Sequence, residues 1–237
     1  MGEEFCWEEL SPSLFICVSS AHKFGTDAFL LSDFAAPRRK DLCCDLGTGC
    51  GIIPLLWFRD DPPRLCYGAD IQKQAIEQLE QSIQKNGLKN RFIPLLTDLK
   101  ELSSLPCGPL DLVTCNPPYT QGQGGLTNRN SAKAIARHET TAGLADFVQC
   151  ASRLLKPKGS FFMVHRPSRL VDLCAAGRAF GLEPKELCFV SPKEGEVPNI
   201  MLVHMIKGGG PELRLLRSLY IYDETGNYTE ELRACYR

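Results

Sequence analysis

Asp45-Leu46-Gly47-Thr48-Gly49-Cys50-Gly51 decides how this chain folds. A strand that closes on an acidic residue and then alternates glycine with small residues lets the backbone pass close under a bulky ligand, and lets the next helix pack tightly. Gly-x-Gly-x-Gly after an acid differs from the Gly-x-Gly-x-x-Gly loop that cradles a pyrophosphate, and Asp45 would repel phosphate. A carboxylate at this point suits a ligand with a cationic ammonium group.

Outward from that loop, residues 41–165 alternate short apolar runs with amphipathic stretches, the pattern of βαβ units on a parallel sheet. The runs predict strands at Asp41 to Leu46, Leu65 to Asp70, Arg91 to Leu96, Leu110 to Cys115 and Ser160 to His165. Helices are expected at Ile52 to Phe58, Lys73 to Asn86 and Ala145 to Leu155. In the second, Ile71, Ala75, Ile76, Leu79 and Ile83 recur at three- and four-residue steps as an apolar face, and Asn86-Gly87 ends it. A further helix is expected at Ser168 to Phe180. Strands at Lys185 to Ser191 and Ile200 to Ile206 are joined by a loop too short for a crossover helix, which implies an antiparallel hairpin at the sheet edge. The expected fold is α/β: a seven-stranded Rossmann-like sheet, mostly parallel, with an antiparallel C-terminal hairpin. We expect one domain over residues 1–237. It comprises an N-terminal extension of residues 1–40 with a helix at Phe24 to Ala36, a core of residues 41–206 and a tail of residues 207–237.

On such a sheet a ligand binds at the carboxyl ends of the strands. Asp70 closes the second strand where a carboxylate can accept both hydroxyls of a ribose, and Asp98 follows the third where it can accept from an adenine amino group. With Asp45 these carboxylates suit S-adenosylmethionine. Asn116-Pro117-Pro118-Tyr119 follows the fourth strand, beside that ligand. An amine conjugated to a ring, or a carboxamide nitrogen, is a poor nucleophile because its lone pair is delocalised. The Asn116 side-chain oxygen and the Pro117 carbonyl can hold its two hydrogens and favour the pyramidal nitrogen that attacks a methyl group. Pro117 and Pro118 stiffen the loop, and Tyr119 offers a ring on which a flipped base can stack.

Composition limits the alternatives. The hydrophobic share is 43% and the charged share 23%, and no apolar run reaches the ~18 residues of a membrane span. The acidic start shows no basic region followed by an apolar stretch, so no secretory leader is expected, and the sixth residue is Cys6 rather than Ser or Thr, which breaks a myristoylation pattern. A cytoplasmic protein is expected. The 12 cysteines form no Cys-x-x-Cys pair and the 4 histidines no ligand-spaced pair, so we expect reduced core cysteines and no metal. A net charge of −1 gives no overall basic field, so any nucleic acid must be held locally. Nothing in the sequence fixes an oligomeric state.

These motifs resemble a known family: the bacterial tRNA adenine-N6 methyltransferases that modify adenine 37, beside the anticodon, of a valine tRNA. The likeness runs through Phe24-Gly25-Thr26-Asp27-Ala28, the glycine loop, Asn116 to Tyr119 and Ala136-Arg137-His138-Glu139. It continues in Val164-His165-Arg166-Pro167 with Arg169-Leu170, and in the tail Tyr220-Ile221-Tyr222 with Tyr228-Thr229. The resemblance implies a class I methyltransferase using S-adenosylmethionine, with tRNA as substrate. It implies a cofactor site of Gly25, Thr26, Asp27, Asp45, Gly47, Thr48, Gly49, Gly51, Asp70, Ile71, Asp98 and Leu99, with RNA contacts at Arg137, His138, Arg166 and Arg169. Two other readings compete. Protein glutamine N5-methyltransferases use the same Asn-Pro-Pro-Tyr logic but carry an N-terminal helical domain, and a non-catalytic RNA-binding or cofactor-sensing module would have no need to keep Asp45, Gly47, Asn116 and Tyr119.

Overall fold

Each apolar run of the core ends at a polar or glycine residue. In the computed structural model, which describes residues 5–19, 24–117 and 142–236, the strands stop at or beside those points. The described chain opens with a hairpin of β1 (Cys6–Ser11) and β2 (Leu14–Val18), followed by helix α1 (Thr26–Ala35). The βαβ core then runs β3 (Leu42–Leu46), α2 (Ile52–Arg59), β4 (Leu65–Asp70), α3 (Lys73–Lys85), β5 (Phe92–Leu96) and β6 (Leu110–Cys115). After it come α4 (Leu144–Leu154), β7 (Leu155–His165), α5 (Leu170–Ala179), β8 (Leu182–Ser191) and β9 (Ile200–Lys207). The tail adds β10 (Arg214–Leu215), β11 (Leu219–Tyr220) and α6 (Glu230–Cys235).

Strands β5, β4, β3, β6 and β7 pair in that order, all parallel. The mostly parallel sheet with an antiparallel C-terminal hairpin is therefore present, but the hairpin is threaded differently from a simple edge addition. β9 inserts between β7 and β8 and is antiparallel to both. Its neighbours bury Met201, Leu202, Val203 and Met205, a run apolar on both faces as an interior strand requires. β10 and β11 then cover the free edge of β8, bringing the sheet to nine strands among the described residues. Helices α1, α2 and α3 and the hairpin pack one face of the sheet, and α4 and α5 the other.

Three local expectations are corrected. β7 begins at Leu155 rather than Ser160, directly after α4, because Leu155 pairs with Leu110 before a register shift. Ile71 is not on the buried face of α3: it precedes the helix and is 51% exposed. The hairpin was not foreseen, although Leu14-Phe15-Ile16-Cys17-Val18 is a five-residue apolar run of strand length.

That hairpin is held by α3 through polar side chains at four-residue steps. Asn86 accepts from the Phe15 N–H (2.9 Å) and donates to the Phe15 carbonyl (2.6 Å). Ser82 accepts from the Cys17 N–H (2.9 Å), and Gln78 donates to the Cys17 carbonyl (3.4 Å). The edge of β2 thus finds in helix side chains the partners that a strand would otherwise give it. Lys85 lies over the rings of Trp7 and Phe15, at 4.4 and 4.8 Å from their centroids. Asn86→Ala leaves both Phe15 backbone groups without these partners and should destabilise the protein by about 2 kcal/mol. Urea unfolding would show this as a lower midpoint with an unchanged slope.

Candidate active site

β3 to β7 run parallel, and β8 runs with β7 because β9 opposes both. Their carboxyl ends form one edge, which carries residues 45–51, 70, 97–98, 116 and 165–166. α1 starts at this edge, since it runs back to the opposite one where Leu42 opens β3.

The glycine loop is fixed to its neighbour strand. Gly47 and Thr48 donate their N–H groups to the Ala69 carbonyl at 2.8 and 3.1 Å, which turns the chain across the end of β4. Gly49 and Gly51 have φ of +55° and +84°, where an L side chain is strained. A Cβ on Gly51 would come within 2.5 Å of Leu79 Cδ1, whereas one on Gly49 would meet nothing within 4 Å. Gly51 therefore serves packing and Gly49 leaves the edge open. The Gly49 N–H donates to Asp70 Oδ2 at 2.9 Å, and the Gln72 N–H donates to Asp70 Oδ1 at 2.9 Å. One buried carboxylate thus ties the loop to the β4–α3 turn, with the exposed side chain of Ile71 next to it.

Asp45 lies deeper, 1% exposed, and accepts from Thr114 Oγ1 on β6 at 2.7 Å. Burial pushes its carboxyl up to about 7, helped by the charge of Asp70, while the hydroxyls of Thr114 and Thr48 pull it down. Thr48 acts at longer range, since its buried Oγ1 meets no partner at hydrogen-bond geometry. Asp45 is therefore a floor beneath the loop rather than an open acceptor. Thr114 escaped the sequence reading, though its signal was there: it is the polar residue of a Leu-Val-Thr-Cys strand end that faces its neighbour strand.

Asn116 is half-buried and Pro117 buried at the end of β6, which pairs with β3, so the start of this motif sits one strand from the glycine loop. Pro118, Tyr119, Arg137, His138 and the polar stretch Gln121 to Asn130 lie outside the described residues. Gly25 is the N-cap of α1, Asp27 Oδ1 accepts from the Ala28 N–H at 3.0 Å, and Thr26 Oγ1 lies 3.0 Å from the Tyr236 hydroxyl. Asp98 Oδ1 accepts from the Lys100 N–H at 2.9 Å as a turn former, and the Leu99 side chain is buried. After β7, His165 Nδ1 accepts from the Arg166 N–H at 2.8 Å, and burial and the nearby Arg169 and Arg166 hold the imidazole pKa below its usual value. Arg169 pairs with Asp172 at 2.7 Å on the surface, a contact of small worth.

All twelve cysteines are free thiols, nine of them buried. No cluster of His, Cys, Asp or Glu that could hold a metal ion occurs among the described residues, and no helix there is long and apolar enough to cross a membrane.

A glycine loop on β3, a carboxylate closing β4 and Asn-Pro closing β6, on this sheet order, define a Rossmann-like class I methyltransferase. The chain belongs to the methyltransferase small domain family, whose model matches residues 18–170. It is 29% identical over 77% of its length to the tRNA1(Val) (adenine(37)-N6)-methyltransferase of Tolumonas auensis, covering 76% of that protein. The enzyme of the same name from Haemophilus influenzae is 26% identical over 90% of this chain and 88% of its own. Among solved structures, a predicted O-methyltransferase from Agrobacterium tumefaciens superposes with a TM-score of 0.69 at 21% identity, covering 89% of this chain and 95% of that one. M. jannaschii TYW2 in complex with AdoMet superposes at 0.58 and 15% identity, over 87% of this chain and 86% of that one.

The folded state binds the Asp45 proton with a pKa of about 7, and the unfolded chain releases it near ~4. Stability should therefore fall as pH rises between those values and level off above the higher one. Over that span the loss from this group is about 4 kcal/mol. Asp45→Asn should flatten that slope, which urea melts at pH values on either side of the window would detect.

Proposed function

We propose that this protein is an S-adenosylmethionine-dependent tRNA methyltransferase that methylates N6 of an adenine, at position 37 of a valine tRNA, in the cytoplasm. The observation that carries the proposal is the start of Asn116-Pro117-Pro118-Tyr119 at the carboxyl end of β6, one strand from the glycine loop. The names of the relatives supply the particular nucleotide.

The carboxyl edge fits the cofactor. Asp70 keeps lone pairs free to accept ribose hydroxyls after bonding Gly49 and Gln72, and exposed Ile71 offers an apolar surface for an adenine ring. Gly47, Gly49 and Gly51 shape the floor, Asp45 and Thr48 support it from beneath, and Gly25, Thr26 and Asp27 flank it from α1. Asp98 is near enough to the β5 end to accept from the adenine amine, and Leu99, its side chain buried, has only its backbone to give. When bound, the cofactor supplies an electrophilic methyl group. Asn116 and the Pro117 carbonyl accept the two hydrogens of the substrate amine and orient its nitrogen, Pro118 keeps the loop stiff, and Tyr119 stacks on the extruded base. A separate base is unnecessary, because the nitrogen loses its proton readily once alkylated. Arg166 and Arg169 at the β7 end, with Arg137 and His138, contact the RNA backbone.

Incubation with tritium-labelled S-adenosylmethionine, unmodified tRNA and a release-factor-like protein should place label in N6-methyladenosine. Label only in protein would instead support glutamine methylation. Asn116→Ala should lower turnover at least ~100-fold with cofactor affinity largely kept, and a wild-type rate would remove Asn116 from the chemistry. Asp70→Ala should weaken cofactor binding roughly tenfold or more, read by calorimetry, and an unchanged dissociation constant would remove the ribose role.

A further inference from the structure

The N-terminus of α1 lacks a side-chain N-cap, and its local side-chain bond is the one from the Ala28 N–H to Asp27 Oδ1. Gly25, the N-cap, has no side chain to offer, and no side-chain cap bond is made there. One set of contacts on this turn comes from the far end of the chain. The Tyr236 ring stacks on Phe29 at 4.1 Å between centroids and 21° between planes, and the Tyr236 hydroxyl lies 3.0 Å from Thr26 Oγ1.

Tyr236 is itself held in place. α6, six residues long, is too short to persist alone. Thr229 fixes its start by donating to the Tyr220 carbonyl at 2.6 Å and accepting from the Leu232 N–H at 3.3 Å. Its end is met by Arg59 Nη2, which donates to the Cys235 carbonyl at 3.3 Å. The ring plane of Tyr236 continues a column with Tyr228 and Tyr222, spaced 5.7 and 5.4 Å and tilted by 9° and 18°. Between this strap and the body is a cavity of about 280 Å³ lined by Leu30, Val190, Leu219, Ile221 and Leu232, among others. Around the cavity the tail packs on the same core as α1 through Leu219, Ile221, Leu232 and Cys235, and Tyr236 adds a further contact at the start of α1.

We propose that Tyr236 is a positioning residue for the cofactor: through its ring and hydroxyl the C-terminal helix holds Gly25 to Asp27 in the shape that receives S-adenosylmethionine. The proposal rests on the cofactor reading above. Residues 222–236, which carry the column, hold Asp223, Glu224, Glu230 and Glu231 against the single basic residue Arg233, a balance that does not favour phosphate.

The test compares Tyr236→Ala and Tyr236→Phe with the wild type in the full chain. It measures the S-adenosylmethionine dissociation constant by calorimetry, and kcat and the tRNA KM at saturating cofactor. Tyr236→Ala should raise the dissociation constant about tenfold and Tyr236→Phe, which keeps the stack, about twofold to threefold. kcat at saturating cofactor and the tRNA KM should stay within about twofold of wild type for both. An unchanged dissociation constant in Tyr236→Ala, including one accompanied by a lower melting temperature, would overturn the proposal. So would an effect confined to the tRNA KM. If the wild type failed to bind S-adenosylmethionine, the cofactor reading itself would fall. Wild-type binding with an unaltered variant would remove only the role of Tyr236.

Discussion

The Asp70 carboxylate is the constraint on which the carboxyl edge depends. Its two oxygens accept backbone N–H groups from Gly49 and Gln72, so a loop in left-handed backbone and the entry to α3 share one anchor. Around that anchor the packing leaves little freedom. Cβ atoms on Gly51 and Gly68 would meet Leu79 at 2.5 and 2.9 Å, so helix, loop and strand can approach this closely only with glycine at both positions. The Asp45–Thr114 bond then joins β3 to β6, which fixes the position of Asn116 relative to the loop. A buried carboxyl with a raised pKa has an unfavourable ionised form, and its hydrogen bond across the sheet offsets part of that cost.

Sequence legibility followed the source of each element's stability. Strands β3 to β6 and helices α2 and α3 were readable to within a residue or so at each end, because each buries its own apolar pattern in a repeating βαβ context. The β1–β2 hairpin was not, since β1 is largely exposed and the partners of β2 are Gln78, Ser82 and Asn86 on a helix. Those residues read as polar helix positions when the hairpin is unknown. The place of β9 between β7 and β8 is likewise decided by tertiary pairing, and the tail reads as glycine, basic and acidic residues although it folds along β8 and onto α1.

The candidate site was legible where chemistry dictates residue type. Asp70, Gly49, Gly51 and Asn116 stand on one edge, and exposed Ile71 stands beside them for a reason opposite to the one its spacing suggested. The contacts of Thr114 and Tyr236 at this edge are not legible in the sequence because each is distant along the chain. Thr114 meets Asp45 from 69 positions away, and Tyr236 meets Thr26 from 210.

The most direct measurement is to methylate unmodified valine tRNA with the purified protein and S-adenosylmethionine, digest it with a base-specific ribonuclease and sequence the fragments by mass spectrometry. A single methyl group on N6 of the adenine beside the anticodon is the result expected. Methylation of any other atom or nucleotide, or of none, would contradict the account.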